Sequence, residues 1–199
     1  MKIPVLLSLA CCLFVPAASA QIIEFDLLGK AGSGLLPGNE NPAASSSASG
    51  GEIGAGIFLD LSTNILTVNV GWGSGNGFTD LTGAASAAHF HGPADANTNA
   101  GVILGLNAEP GSISWDSSAS SGSITGTVDL DLVTLGNGGT IADLLNGEWY
   151  LNIHTAANPG GELRANLVNV SAVPEPSTYA LFGGLAAFGA IAWRRRKLS

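Results

Sequence analysis

The run Ile65-Leu66-Thr67-Val68-Asn69-Val70 puts Leu66, Val68 and Val70 on one side of an extended chain and Ile65, Thr67 and Asn69 on the other. Side chains of a strand alternate between faces, so the pattern describes one buried and one wet face; a helix would scatter the same residues around its axis. The strand is expected to extend over 65–72, and comparable short runs recur at 22–28, 52–61, 86–91, 101–106, 122–130, 148–155 and 161–168, separated by residues such as Gly, Ser, Asn and Thr. Such spacing predicts an all-β domain, a single antiparallel sandwich. Residues 61–64, Leu-Ser-Thr-Asn, join two runs closely enough for a hairpin. One short helix is predicted near 140–147, with Thr140 as its cap, Asp143 in its first turn and Gly147 past its end. The serine-rich stretch 41–51 reads as a surface loop.

Both ends of the 199-residue chain read as addressing segments. Residues 1–20 carry Lys2, an apolar run and the small-residue ending Ala18-Ser19-Ala20, the layout of a secretory signal peptide cleaved after Ala20. Cys11 and Cys12 fall inside it, so the mature domain is expected to hold no disulfide and no cysteine-ligated metal or cluster. Residues 21–170 then form the domain, enough chain to bury one core without covalent staples. Between Gln21 and Ala172 the basic side chains are Lys30 and Arg164, against fourteen acids. That surface repels nucleic acid and anionic lipid and suits cations or neutral polysaccharide.

After a linker at 171–177, the apolar residues 178–193 end at Trp193 and are followed by Arg194, Arg195, Arg196 and Lys197 in the tail 194–199. Physically this is a short transmembrane helix with its basic end held in the cytoplasm, and a permanent single-pass anchor is one reading of it. Directly before the span stand Pro174, Glu175 and Pro176. The order Pro-Glu-Pro, apolar span, arginine cluster resembles the PEP-CTERM sorting signal of Gram-negative bacteria that make exopolysaccharide. The resemblance implies recognition by an exosortase that cuts near Pro-Glu-Pro. The helix would then hold the chain in the inner membrane only transiently, before transfer to the cell surface or extracellular matrix.

Three further segments, "GNENPAASSSASGG" (38–51), "AAHFHGPADANTNAGVILGL" (87–106) and "LLNGEWYLNIHTAANPGGELRANL" (144–167), resemble the CHRD domain in the family's order. The motif positions are His89, His91, Gly92 and Pro93 in the second segment, and His154, Thr155, Gly160, Gly161, Glu162 and Arg164 in the third. Membership implies an immunoglobulin-like β-sandwich and no established enzymatic activity.

His89 and His91, two apart on a strand, share a face, and His154 lies on another strand with Tyr150 and Asn152 on its side. Three imidazoles on adjoining strands would make a copper or zinc site. Cu/Zn superoxide dismutase, also a sandwich, shares a His-x-His pair, but this chain has no fourth histidine and no bridging zinc cluster. The alternative is structural, with the imidazoles hydrogen-bonding loop backbone around Gly92-Pro93 and Gly160-Gly161. Glu162 and Arg164 also share a face, suited to an ion pair or to pinning the His154 loop. Asp95, Asn97 and Asn99 alternate in a way compatible with calcium but lack the downstream Gly and Glu of a calcium loop, and Asx turns explain them equally.

The chain is therefore expected to be an exported, non-enzymatic surface or matrix protein. Its expected partners are the exosortase and extracellular polysaccharide or surface proteins, with no nucleic acid. A copper- or zinc-binding protein is the rival reading. A glycan-active enzyme is a third, with Trp72 and Trp115 as exposed aromatics but without a recognisable catalytic carboxylate pair.

Overall fold

The structure, a computed structural model, describes residues 21–170 except Glu109 and Ser118. The signal peptide, linker, membrane helix and tail, with Pro174, Glu175, Pro176, Arg194, Arg195 and Arg196, lie outside the described residues. The strands are β1 (Ile22–Gly29), β2 (Gly32–Ser33), β3 (Gly50–Glu52), β4 (Ile57–Asp60), β5 (Ile65–Trp72), β6 (Ala85–His91), β7 (Val102–Gly105), β8 (Ser114–Asp116), β9 (Gly122–Asp129), β10 (Tyr150–Thr155) and β11 (Leu163–Val170), with one helix, α1 (Ile141–Leu145), before β10.

The eleven strands form one continuous antiparallel sheet. Its path runs β7-β6-β10-β11-β1-β4-β5-β9-β8, with β2 added to β1 and β3 to β5. The sheet curls over so that the inward side chains of its two halves share one core. Leu66, Val68 and Val70 of β5 and Ile124 and Val128 of β9 meet Phe90, Leu151, Ile153, Leu163 and Leu167 of the other half. Alternation thus buries the side of β5 the sequence indicated, and β5 and β9 pair in unbroken register from Ile65↔Asp129 to Trp72↔Gly122.

Helix α1 begins as its residues require. Thr140 Oγ1 accepts the Asp143 amide at 3.2 Å while the Asp143 carboxylate accepts the Thr140 amide at 2.8 Å, a reciprocal cap that satisfies two otherwise orphaned donors. Leu144 anchors the helix in the core. The 61–64 connection joins β4 to β5, and Asn64 takes a left-handed φ of 52°.

Two expectations need correction, and two short strands were not foreseen. The run 52–61 is two strands, because Gly54 and Gly56, with φ of 57° and 72°, turn the chain between β3 and β4. β2 and β8 are too short to show an alternating pattern. Trp72 is fully buried, its ring 5.6 Å from that of half-buried Trp115, so the pair packs together and is not an exposed sugar-stacking surface.

β10 positions the site. All six of its residues are buried: Leu151 and Ile153 point into the core, while Tyr150, Asn152 and His154 lie on the opposite face. That outer face is roofed by the loop following β6, which carries Asp95, Thr98 and Asn99.

Candidate functional site

Strand register assembles the histidines. β6 and β10 pair with His91 opposite Tyr150, His89 opposite Asn152 and Ala87 opposite His154, so His154 lies diagonally across from His89 on the outer face. His89 Nδ1 is 3.2 Å from His154 Nε2, and one ring nitrogen from each of the three histidines falls within 4.8 Å of the others.

Two backbone carbonyls set the tautomers. Ala100 O lies 3.0 Å from His91 Nδ1, and Pro159 O lies 3.0 Å from His154 Nδ1. A carbonyl only accepts, so each Nδ1 carries the proton and each Nε2 keeps its lone pair. His154 Nε2 accepts from His89 Nδ1–H, whereas His91 Nε2 is buried with no hydrogen-bond partner. Burial, reinforced by the neighbouring His154 and His91 rings, pulls the His89 pKa down to about 4. Burial likewise lowers His91 and His154, against the opposing pull of their carbonyl partners. At neutral pH the cluster is three uncharged imidazoles, the form in which histidine binds metals.

The surroundings hold these rings rigidly. Tyr150 stacks on His91 with centroids 5.0 Å apart and planes 8° from parallel, and its hydroxyl accepts the Ala100 amide at 3.1 Å. Arg164, fully buried, lies over the far side of the Tyr150 ring. Its Nη1 donates to Asn99 Oδ1, and its Nη2 to Asp95 O and Thr98 O, all at 2.8 Å. Asn166 donates to Ala94 O at 3.0 Å, beside Pro93 of the cis Gly92-Pro93 bond.

Glu162 and Arg164 do not pair. Glu162 Oε1 accepts from Ser46 Oγ at 2.7 Å and the Thr82 amide at 2.9 Å; Oε2 accepts from Thr82 Oγ1 at 2.6 Å, Thr155 Oγ1 at 2.7 Å and Asn158 Nδ2 at 3.0 Å. Burial disfavours its charge, but these hydrogen bonds outweigh it and leave the carboxyl below its ordinary pKa. Glu162 therefore ties down the turn that presents Pro159 to His154, the pinning alternative for this residue. Asp95 closes an Asx turn onto the Asn97 amide at 2.9 Å, and Asn99 directs its oxygen to a guanidinium. Of the three side chains, Asn99 is thus engaged by a cation of the chain itself and Asp95 by its own turn.

Three buried polar residues, Asn39, Glu40 and Asn166, were assigned no part in the site from the sequence, and a fourth, Asn152, was placed on the His154 face without a role. Asn39 accepts the Ala31 amide at 2.7 Å and donates to Arg164 O at 3.0 Å, joining the turn at Pro37–Asn39 to β11. Asn166 and Asn152 lie on the outer face, opposite one another's neighbours in the β10–β11 register. Glu40 is 4% exposed, and its pKa rises to about 7 because burial outweighs the attraction of Arg164 and Lys30. Glu40 Oε1 and Asn152 Oδ1 both lack hydrogen-bond partners and fill the space where a side chain on Gly161 would sit, at a φ of 126° that L-residues rarely adopt. The signal for Asn39 and Glu40 was their place in "GNENP", a segment that carries the family resemblance but looks like an ordinary polar loop.

Neither a curated protein nor a solved structure gives a significant match. Residues 172–197 match the PEP-CTERM protein-sorting motif, which implies a membrane-anchored precursor processed by an exosortase for export to the cell surface. Residues 32–167, from β2 through most of β11 and including the three histidines, Tyr150, Asn152, Glu162 and Arg164, match the CHRD domain, and the chain belongs to that family.

Proposed function

We propose that this protein is an exosortase-delivered component of the cell surface or exopolysaccharide matrix of a Gram-negative bacterium, its CHRD domain serving as a binding or structural module and not as an enzyme. The observation that carries this reading is the order of the two matches, with the sorting motif beginning at 172, just after the domain ends at 167. A domain delivered in this way reaches a compartment of hydrated polymer. With fourteen acids and two basic groups between Gln21 and Ala172, it is suited to neutral glycan or to cations.

Intact-mass measurement of the protein from cells that hold the sorting enzyme tests the delivery. The expected species begins at Gln21 and ends near Pro176. Extracellular protein that still carries Arg194–Lys197 overturns it. Incubating the purified mature protein with the cells' own exopolysaccharide tests the second half: retention on the polymer supports a binding module, and release of sugar refutes the non-enzymatic reading.

A further inference from the structure

We infer that His89, His91 and His154 form a three-nitrogen copper site that takes Cu(I) in preference to Zn(II). The inference stands on the geometry of the outer face and is independent of how the chain is exported.

The first support is the His91 Nε2 lone pair, buried and without a partner. An unsatisfied buried acceptor costs about 1–3 kcal/mol, and a bound cation removes that cost. The second is the pair of carbonyls: Ala100 O and Pro159 O hold the Nδ1 protons of His91 and His154, so both Nε2 lone pairs are presented in fixed orientation. Metal-bound histidines are held in the same way by outer hydrogen bonds. The third is distance. Metal–imidazole bonds of about 2.0–2.1 Å place neighbouring ligand nitrogens roughly 3.3–3.6 Å apart. His89 Nδ1 and His154 Nε2 are already at 3.2 Å, and the three ligand nitrogens lie within 4.8 Å of one another; on metal binding the His89 proton moves from Nδ1 to its other ring nitrogen, so that the hydrogen bond between the two rings gives way to two bonds to one ion. His89 is partly exposed and provides access from solvent.

Charge and coordination number select the metal. The grouped ligands are three neutral imidazoles, with no carboxylate or thiolate among them in the described residues. The cation behind the site is Arg164, stacked on the Tyr150 ring that stacks in turn on His91. A divalent ion would keep its full charge beside that guanidinium, whereas Cu(I) brings half as much. Three nitrogens complete a trigonal Cu(I) sphere, while tetrahedral Zn(II) has to draw its fourth ligand, a water, from solvent. Imidazole suits both metals, so ligand type alone does not decide between them.

The test uses mature protein freed of metal. Anaerobic competition against a chromophoric Cu(I) chelator is expected to show one Cu(I) per chain, held roughly 100-fold or more tightly than by His91→Gln, with Zn(II) bound more weakly than Cu(I). Equal Cu(I) affinity in the variant, or tighter Zn(II) binding, overturns the proposal. Because a variant can lose its fold, ¹⁵N spectra of the wild-type imidazoles supply a second arm. Cu(I) is expected to move His91 Nε2, His154 Nε2 and His89 Nδ1 while both carbonyl-bound Nδ1–H groups persist. Shifts confined to one ring overturn it as well.

Discussion

The guanidinium carbon of Arg164 lies 3.6 Å from the centroid of the Tyr150 ring, and the same guanidinium holds three acceptors of the loop above it. One side chain therefore fastens the roof of the outer face to the sheet. Lysine keeps the charge but not the flat fork that reaches Asn99, Asp95 and Thr98 together. Arg164→Lys is expected to lower stability in urea unfolding by about 2–3 kcal/mol and to speed amide exchange across 95–101. Unchanged exchange in that loop would show that the clamp is not what holds it.

Glu40 carries a stability penalty that depends on pH. Its folded pKa of about 7 exceeds the ordinary 4.5, so as pH rises the unfolded chain loses this proton first, and the native state is weakened from about pH 4.5 up to 7. Glu40→Gln removes the effect. The variant is expected to gain up to about 3 kcal/mol relative to the parent at pH 8 and almost nothing at pH 4, measured by chemical unfolding at both values. A gain that is the same at both pH values would exclude ionisation as the cause.

The histidines act in the opposite direction. Their folded pKa values lie below the 6.5 of a free imidazole, so the unfolded chain takes up protons first as pH falls. Stability is expected to be complete above pH 6.5 and to decline from there toward pH 4, without added metal. His89→Gln is expected to flatten part of that decline in thermal melts recorded across the range. A parent melting temperature that stays level between pH 6.5 and 4.5, in a Glu40→Gln background, would contradict it.

Gly161 is a steric prediction. An added methyl would meet the Asn152 side chain and Glu40 Oε1 at a φ that L-residues rarely adopt. Gly161→Ala is expected to cost about 2 kcal/mol or more and to displace the turn carrying Pro159 O, visible as a change in the His154 Nδ1–H resonance. A resonance left in place would mean that the strain is absorbed elsewhere.

Local pattern made most of the sheet legible. β5 occupies the residues its alternation indicates, and α1 starts at the cap Thr140 provides. Where sequence reading failed, the deciding contact lies far along the chain. Glu162 and Arg164 look like partners two residues apart, yet one is satisfied by Ser46 and Thr82 and the other by Asp95, Thr98 and Asn99. Trp72 looks available in isolation and is buried once β9 and Trp115 are in place. The shared face of His89 and His91 follows from strand periodicity, but the approach of His154 depends on the β6–β10 register, which neither strand specifies alone. Glu40 was hidden for a related reason: a glutamate in a Gly-Asn-Pro stretch reads as solvated, and only the approach of Gly161 and Asn152 encloses it.

The two ends of the sheet path are its shortest strands after β2, apart from the equally brief β3 and β4: β7 has four residues and β8 three. The amide of Gly136 takes up the Ile103 carbonyl of β7 at 2.8 Å, shielding part of that margin. Little free backbone is left there to recruit the matching margin of another copy. The way the sheet stops, in two brief margins, thus guards it against zipping edge to edge into fibres.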